Sequence, residues 1–275
     1  MISAKIVEDS ISQVGARVTT IQLTYPRFIH AELMTHRVFS RNASSSRAIP
    51  VKRMLEMIRN EPAMPIHWGK NQPGMQASEE LTGYALDEVK ALWLRAAESA
   101  AGYAEAMMLQ GAHKQIANRV LEPFQHIQVL VTSTEWDNFF SLRAHPAAQP
   151  EIQALAVLMR DVMNESKPRL LEMGEWHLPY VTAEERLDTA LWGHYKLQRI
   201  SAARCARVSY MKHDGDVPNI DEDLALCERL VGSVPRHASP IEHQATPDLL
   251  IPGKGWGRPD LHGNFKGWRQ YRQMI

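Results

Sequence analysis

The stretch Thr35 to Arg47, THRVFSRNASSSR, sets four cations or potential cations (His36, Arg37, Arg41 and Arg47) around Asn42 and a run of serines. Small side chains at Ser44, Ser45 and Ser46 let backbone N–H groups approach an anion closely, and arginine offers a planar fork that matches phosphate oxygens. Two readings follow from these residues alone, a phosphate-binding loop and a solvated serine-rich loop, and composition weighs them equally. No apolar face can be drawn through Ser40 to Ser46, so the run reads as a loop, ended by Pro50.

Outward from that stretch, residues 17 to 23 (RVTTIQL) alternate and are β-branched, which predicts a strand broken at Tyr25-Pro26. Phe28 to Arg37 has helical apolar spacing, and Val51 to Arg59 predicts a short helix. Residues 62 to 77, with three prolines, two glycines and Trp68, read as an ordered irregular loop or lid. Ala85 to Gln110 is the clearest helix, with Gly111 where a C-terminal cap belongs. A helix over Lys114 to Leu121 stops before Pro123, and Ile127 to Thr132 (IQVLVT) is the best strand. Thr134 and Asp137 have capping-box spacing for a helix that carries Asn138 and Arg143. Gln149 to Glu165 reads as an amphipathic helix and Pro168 to Pro179 as a connector. Beyond them come Ile200 to Tyr210, an acidic helix near Asp221 to Val231, a turn-like Val234 to Pro240 and an unassigned basic, aromatic tail. The class is α+β with helix predominating.

Charge is balanced, 31 basic against 31 acidic residues among 275, so any anion binding must be local. That argues against nucleic acid as a partner; a single-stranded nucleic-acid binder is the weakest reading and rests on Trp268 to Arg272. Cys205 and Cys227 lie outside any metal spacing, which argues against zinc or a disulfide framework and suits a reducing cytoplasm. Neither a signal peptide nor a membrane span is expected, since no window approaches ~18 consecutive apolar residues. Glu242-His243 lacks a third ligand at usable spacing, so no metal is expected. Trp93, Met107 and Met108 read as core, His30 and His113 as surface or satisfied core histidines, and Lys52 and Arg53 as a solvated helix face.

His36, Arg37, Ser40, Asn42, Ser45 and Arg47 fall in register on the signature of the flavin-dependent thymidylate synthases, which the chain therefore resembles. Only its first arginine is missing, replaced by Thr35. A second block agrees: Arg119-Val-Leu-Glu-Pro123, Asn138-Phe-Phe-Ser-Leu-Arg143 and Ala148-Gln-Pro-Glu-Ile152 are similar to family segments in the family's order. Ala206-Arg-Val-Ser-Tyr210 and His237-Ala-Ser-Pro-Ile-Glu-His243 also resemble family segments, but those precede the signature in the family and follow it here. The resemblance thus implies a circular permutant, tolerated when the original termini lie close together at the surface. The expectation is one domain over 1–275, helix-rich with a central, mostly antiparallel sheet: motif loop 35–47, core 113–165 and displaced segments 200–247.

The resemblance also implies roles. Arg143 would sit by the pyrimidine and favour ionisation of its N3, activating C5 without an enzyme nucleophile. Ser44, Ser45, Ser46, Arg47 and Arg119 would hold the phosphate and sugar of dUMP, with Glu32 near the base. Thr35, His36, Arg37, Asn42, Thr132, Thr134, Asn138 and Ser239 would contact FAD. The reaction implied is reductive methylation of dUMP to dTMP with methylene-tetrahydrofolate as carbon donor and NADPH as reductant, in a homotetramer with sites built between subunits. Glu32 stands where the family has glutamine, Ala43 where it commonly has glutamate, and Thr132 and Thr134 where it often has asparagine and arginine. Glu32 could accept a hydrogen bond from an exocyclic amine, which suits cytosine. The alternatives are therefore C5 hydroxymethylation or another modification of dUMP or dCMP, and a non-catalytic nucleotide- or flavin-binding protein.

Overall fold

A polar, alternating segment opens the chain as strand β1 (Ser3–Ser12), which turns at Gly15 into β2 (Arg17–Pro26). No apolar pattern marks β1 in the sequence, because Lys5, Glu8 and Asp9 interrupt it. Asp9 is nevertheless buried, and its carboxylate accepts from Arg17 (2.9 and 2.6 Å), Thr19 Oγ1 (3.0 Å) and Ser166 Oγ (2.6 Å). A buried carboxylate satisfied on all sides is compatible with a strand interior. Described in the computed structural model are residues 1–187, 189–210 and 219–275.

The chain continues through a 3₁₀ turn at Arg27–Ile29, α1 (His30–Met34), β3 (Ser40–Ala43), α2 (Val51–Asn60), α3 (Gly83–Leu109) and α4 (Lys114–Ala117). Next come a 3₁₀ turn at Asn118–Phe124, β4 (His126–Ser133), α5 (Asp137–Arg143), α6 (Pro150–Glu165) and β5 (Arg169–Leu171). The C-terminal part holds α7 (Ala183–Leu187), α8 (Thr189–Arg207, kinked at Gly193) and α9 (Ile220–Val231). It ends in short strands β6 (Ala245–Pro247), β7 (Leu250–Ile251), β8 (Gly255–Trp256) and β9 (Trp268–Gln270).

The main sheet has the order β3-β4-β2-β1-β5, antiparallel except for the β1–β5 edge, so the fold is the expected α+β with a mostly antiparallel sheet. One face packs on α5 and α6 through Ile21, Leu23, Val129, Val131, Phe139, Ile152 and Met159. A separate cluster joins α2, α3 and the 118–124 turn, and here Trp93, Met107 and Met108 pack as core residues. A third lies among α8, α9 and the segment around Trp176 and Leu178. No helix among the described residues is long and apolar enough to cross a membrane.

Several local expectations change. Ser40 to Ala43 is a strand rather than part of a loop. It pairs with Val129 to Thr132, and its inward polar side chains find partners, Ser40 Oγ accepting from Gln270 Nε2 at 3.1 Å. The helix expected over Phe28 to Arg37 shortens to α1 behind the 3₁₀ turn, and the 114–121 helix gives way to 3₁₀ geometry that runs through Pro123. No capping box forms before α5: Thr134 Oγ1 accepts from the Lys266 N–H (3.1 Å), a partner 132 residues away. The connector after Pro168 contains β5, recruited because β1 offers it an edge.

Candidate active site

The motif stretch is held in its middle by the sheet, through β3. Asn42 is buried on β3 and donates through Nδ2 to the Cys205 carbonyl, while its Oδ1 receives Ser209 Oγ and Ser239 Oγ, both at 3.4 Å. The segments around Val208–Tyr210 and Ser239 thus lie against the motif strand; residues 211–218 of that span lie outside the described residues. After β3, Ser44 N–H donates to the Gln128 carbonyl (2.8 Å) and Ser45 N–H to the Ser209 carbonyl (3.1 Å). Asn118, fully buried, donates to the carbonyls of Ser46 (2.7 Å) and Ile49 (2.9 Å), which fixes the path of the loop.

Arg143 ends α5, where a cation is favoured by the helix dipole. Its guanidinium is held on three sides. Nε donates to His36 Nε2 (3.0 Å), Nη1 to Glu32 Oε2 (3.3 Å) and Nη2 to Thr35 Oγ1 (3.3 Å). Thr35 Oγ1 in turn donates to the Glu32 carbonyl (2.7 Å). His36 is clamped by Phe39, stacked at 5.8 Å, and by the edge of Phe139 at 4.9 Å. Burial, then the neighbouring Arg143 and Arg41, push its pKa below the usual histidine value. The imidazole is therefore neutral near pH 7, with Nε2 as acceptor and the proton on Nδ1. A guanidinium has five N–H donors, so two of Arg143's remain without partners among the described residues. It is a half-buried, oriented cation with donors to spare.

A second group gathers at Glu122. Its Oε1 accepts from Ser46 Oγ (2.8 Å), Arg119 Nη1 (2.9 Å) and Arg27 Nη2 (3.1 Å). Arg47 is exposed and makes no side-chain hydrogen bond or ion pair with the described residues. A third place is a cleft of about 390 Å³ lined by Arg37, Val38, Glu135, His262, Gly263, Asn264 and Lys266. His262 Nε2 donates to Asp248 (2.8 Å), and its Nδ1 accepts from the Gly267 N–H (3.3 Å). Gly267, at φ +83°, is required here, because a Cβ would meet the Trp256 ring at 2.9 Å.

The structure thus brings Glu32, Thr35, His36 and Arg143 into contact, and Ser46 with Arg119. Arg37 lies on the cleft, Thr134 bonds the tail beside it, and Asn138 is exposed on α5. Thr132 is fully buried, its hydroxyl engaged by Thr20 Oγ1 (2.7 Å) and His243 Nδ1 (2.8 Å), so it presents nothing to a ligand. Sequence reasoning missed Arg27, Glu122 and the tail residues of the cleft. Glu122 lies inside the quoted Arg119 to Pro123 segment; the tail offered only glycine turn signals, at Gly263 and Gly267. No group of three or more metal-ligating side chains occurs among the described residues.

Among the solved structures similar to this one are those of a UMP/dUMP methylase PolB from Streptomyces cacaoi bound with 5-Br UMP and with 5-Br dUMP. They share 19% and 18% identity with this chain at a TM-score of 0.50, over 60% of this chain and 90% of theirs, a likeness of fold. No curated protein sequence matches the chain. The sequence model of one family, described as thymidylate synthase complementing protein, matches residues 13–169, a span that runs from β2 through the whole Arg143 cluster to β5. The chain belongs to the thymidylate synthase complementing protein family.

Proposed function

We propose that the chain is an enzyme that alkylates C5 of a pyrimidine nucleotide, and that its reaction is reductive methylation of dUMP to dTMP. Methylene-tetrahydrofolate supplies the carbon in this reading, FAD the hydride to the reacting carbon when bound, and NADPH the reducing equivalents. One observation carries it: Arg143 is fixed by Glu32, Thr35 and His36 and still holds two N–H donors without partners among the described residues. Such a fork facing the O2–N3 edge stabilises negative charge on the ring, which raises electron density at C5. A neutral His36 orients the fork without competing for the anion. Ser44, Ser45, Ser46, Arg47 and Arg119 bind phosphate and sugar. Neither cysteine acts as nucleophile: Cys205 is buried and burial drives its thiol pKa up, and Cys227 is buried with its pKa likewise raised.

The residues fit FAD at one end and not at the other. Arg37 and Lys266, exposed cations lining one cleft, suit its diphosphate, and Thr134 bonds the Lys266 N–H beside it; His36, Asn138 and Ser239 remain assigned to FAD in this reading. Thr132 and Asn42 do not, because their polar atoms are used within the chain. We further read the segment order as permuted, since Ser209 and Ser239 bond to the motif strand from far along the chain. The assembly in this reading is a homotetramer, which exposed Tyr84, Leu92, Tyr103 and Leu109 on α3 support. Light scattering tests the assembly.

A second reading is favoured by the Glu32–Arg143 pair. A carboxylate acceptor beside guanidinium donors complements the amine, N3 and O2 edge of cytosine, while the same carboxylate repels O4 of uracil. Tritium release from [5-³H]dUMP and [5-³H]dCMP, with and without folate, decides between them, and product mass separates methyl from hydroxymethyl. Folate-dependent release from dUMP is expected; no release from either nucleotide by flavin-loaded protein refutes both enzyme readings and leaves a binding protein.

A further inference from the structure

We propose that Glu122 is an internal anion seated where the substrate's 5′-phosphate binds, so that the phosphate must displace its carboxylate, and that Arg27 is an additional cation of this seat. The inference rests on the phosphate assignment above and goes beyond it in naming a competitor and a further binding residue. Three donors from separate parts of the chain converge on one oxygen of Glu122: Arg27 from the turn after β2, Ser46 from the motif loop, and Arg119 from the turn ahead of Pro123. Oε2 takes no hydrogen bond from the described residues. A single oxygen ringed by two guanidinium forks and a hydroxyl is how proteins hold a phosphate oxygen.

Charge and rigidity point the same way. Arg27 and Arg119 bring two positive charges to one carboxylate, and exposed Arg47 follows Ser46 directly in the chain. The seat is therefore left net positive with its internal anion in place. A phosphate monoester carries about −1.5 to −2 at pH 7 and presents three acceptor oxygens, so it satisfies the forks better than a monoanion with one engaged oxygen. The Ser46 donor needs little rearrangement, because Asn118 pins the Ser46 and Ile49 carbonyls. Glu122 and Arg27 are each about four-fifths buried at the side chain, so their pairing is only partly screened by solvent.

Glu122→Gln keeps shape and acceptor but removes the competing charge. Calorimetric titration with inorganic phosphate, dUMP and deoxyuridine is the test. Expected is about tenfold tighter binding of phosphate and of dUMP, roughly the worth of one modest charge term, with deoxyuridine unmoved. Unchanged or weaker phosphate affinity in a folded Glu122→Gln protein overturns the proposal, because a merely structural carboxylate would loosen Arg27 and Arg119 when neutralised. Arg27→Ala provides the second arm: phosphate binding about tenfold weaker supports its place in the seat, and no change removes it. Inorganic phosphate separates this inference from the nucleotide reading. Tighter phosphate binding with no binding of dUMP or deoxyuridine keeps the anion seat and rejects dUMP as its occupant.

Discussion

Arg143 and Arg204 are both paired with carboxylates, yet their surroundings assign them opposite work. Arg204, on α8, has a side chain only 4% exposed and forks onto Glu185 of α7 at 2.6 and 2.7 Å. Its Nε donates to Asp223 of α9 (2.8 Å) and Nη1 to the Tyr180 carbonyl (2.8 Å). Arg207 completes the cluster on Asp223. This ion network ties three helices together through short contacts. Arg143 is 22% exposed, its contacts to Glu32 and Thr35 are 3.3 Å, and two of its donors have no partner among the described residues. An arginine saturated in the interior holds a fold; the positioned, half-buried Arg143 is the one that the proposed function gives to the substrate.

The contrast is broken most sharply from the interior side. Asp223→Ala leaves buried Arg204 paired with Glu185 but removes the acceptor of its Nε and of Arg207 Nε, and is expected to cost about 3 kcal/mol, read as a fall in urea-unfolding free energy. A loss under ~1 kcal/mol would put the network with ordinary surface pairs. Arg143→Ala should do the reverse, cutting kcat/KM for the labelled nucleotide about 10²–10³-fold while the thermal midpoint barely moves. A large drop in stability with activity per folded molecule intact would reverse the two roles.

Acid sharpens the comparison. Burial pushes His243 down to about 3 and His30 to about 4, both below their unfolded value of 6.5, and His177 is likewise lowered by burial. Between those values the unfolded chain binds protons that the folded one refuses, so stability falls as pH drops from 6.5 toward 4. His243→Gln should flatten that slope, measured by unfolding at a series of pH values; an unchanged slope means that His243 titrates alike in both states. The smallest effect expected is from Glu32→Gln. At a partly exposed pair, stability should change by less than about 1 kcal/mol, while the ratio of dCMP to dUMP turnover falls. A ratio that stays the same removes Glu32 from base selection.

Legibility followed the range of the interactions. The motif from His36 to Arg47 was readable because side-chain types at fixed spacing carry it, and the strands at 17–23 and 127–132 because burial on a sheet imposes β-branched residues. β1 was not readable, since what makes its polar residues tolerable, Arg17 and Ser166 on Asp9, is supplied from elsewhere in the chain. The serine-rich run concealed a strand for the same reason: its partners are Gln270, Ser209 and Cys205.

The sequence by itself determined the family-like register of His36, Arg37, Ser40, Asn42, Ser45 and Arg47, the identity of Arg143 as the cation to examine, and the α+β class. Only the tertiary structure decided which of these polar atoms remain available. Asn42 and Thr132 spend theirs inside the chain, Arg143 keeps two without partners among the described residues, and Arg119 and Ser46 meet at a carboxylate that no spacing rule singles out. Hydrogen-bonding capacity is finite, and contacts across the fold, invisible to local pattern, determine where it is used.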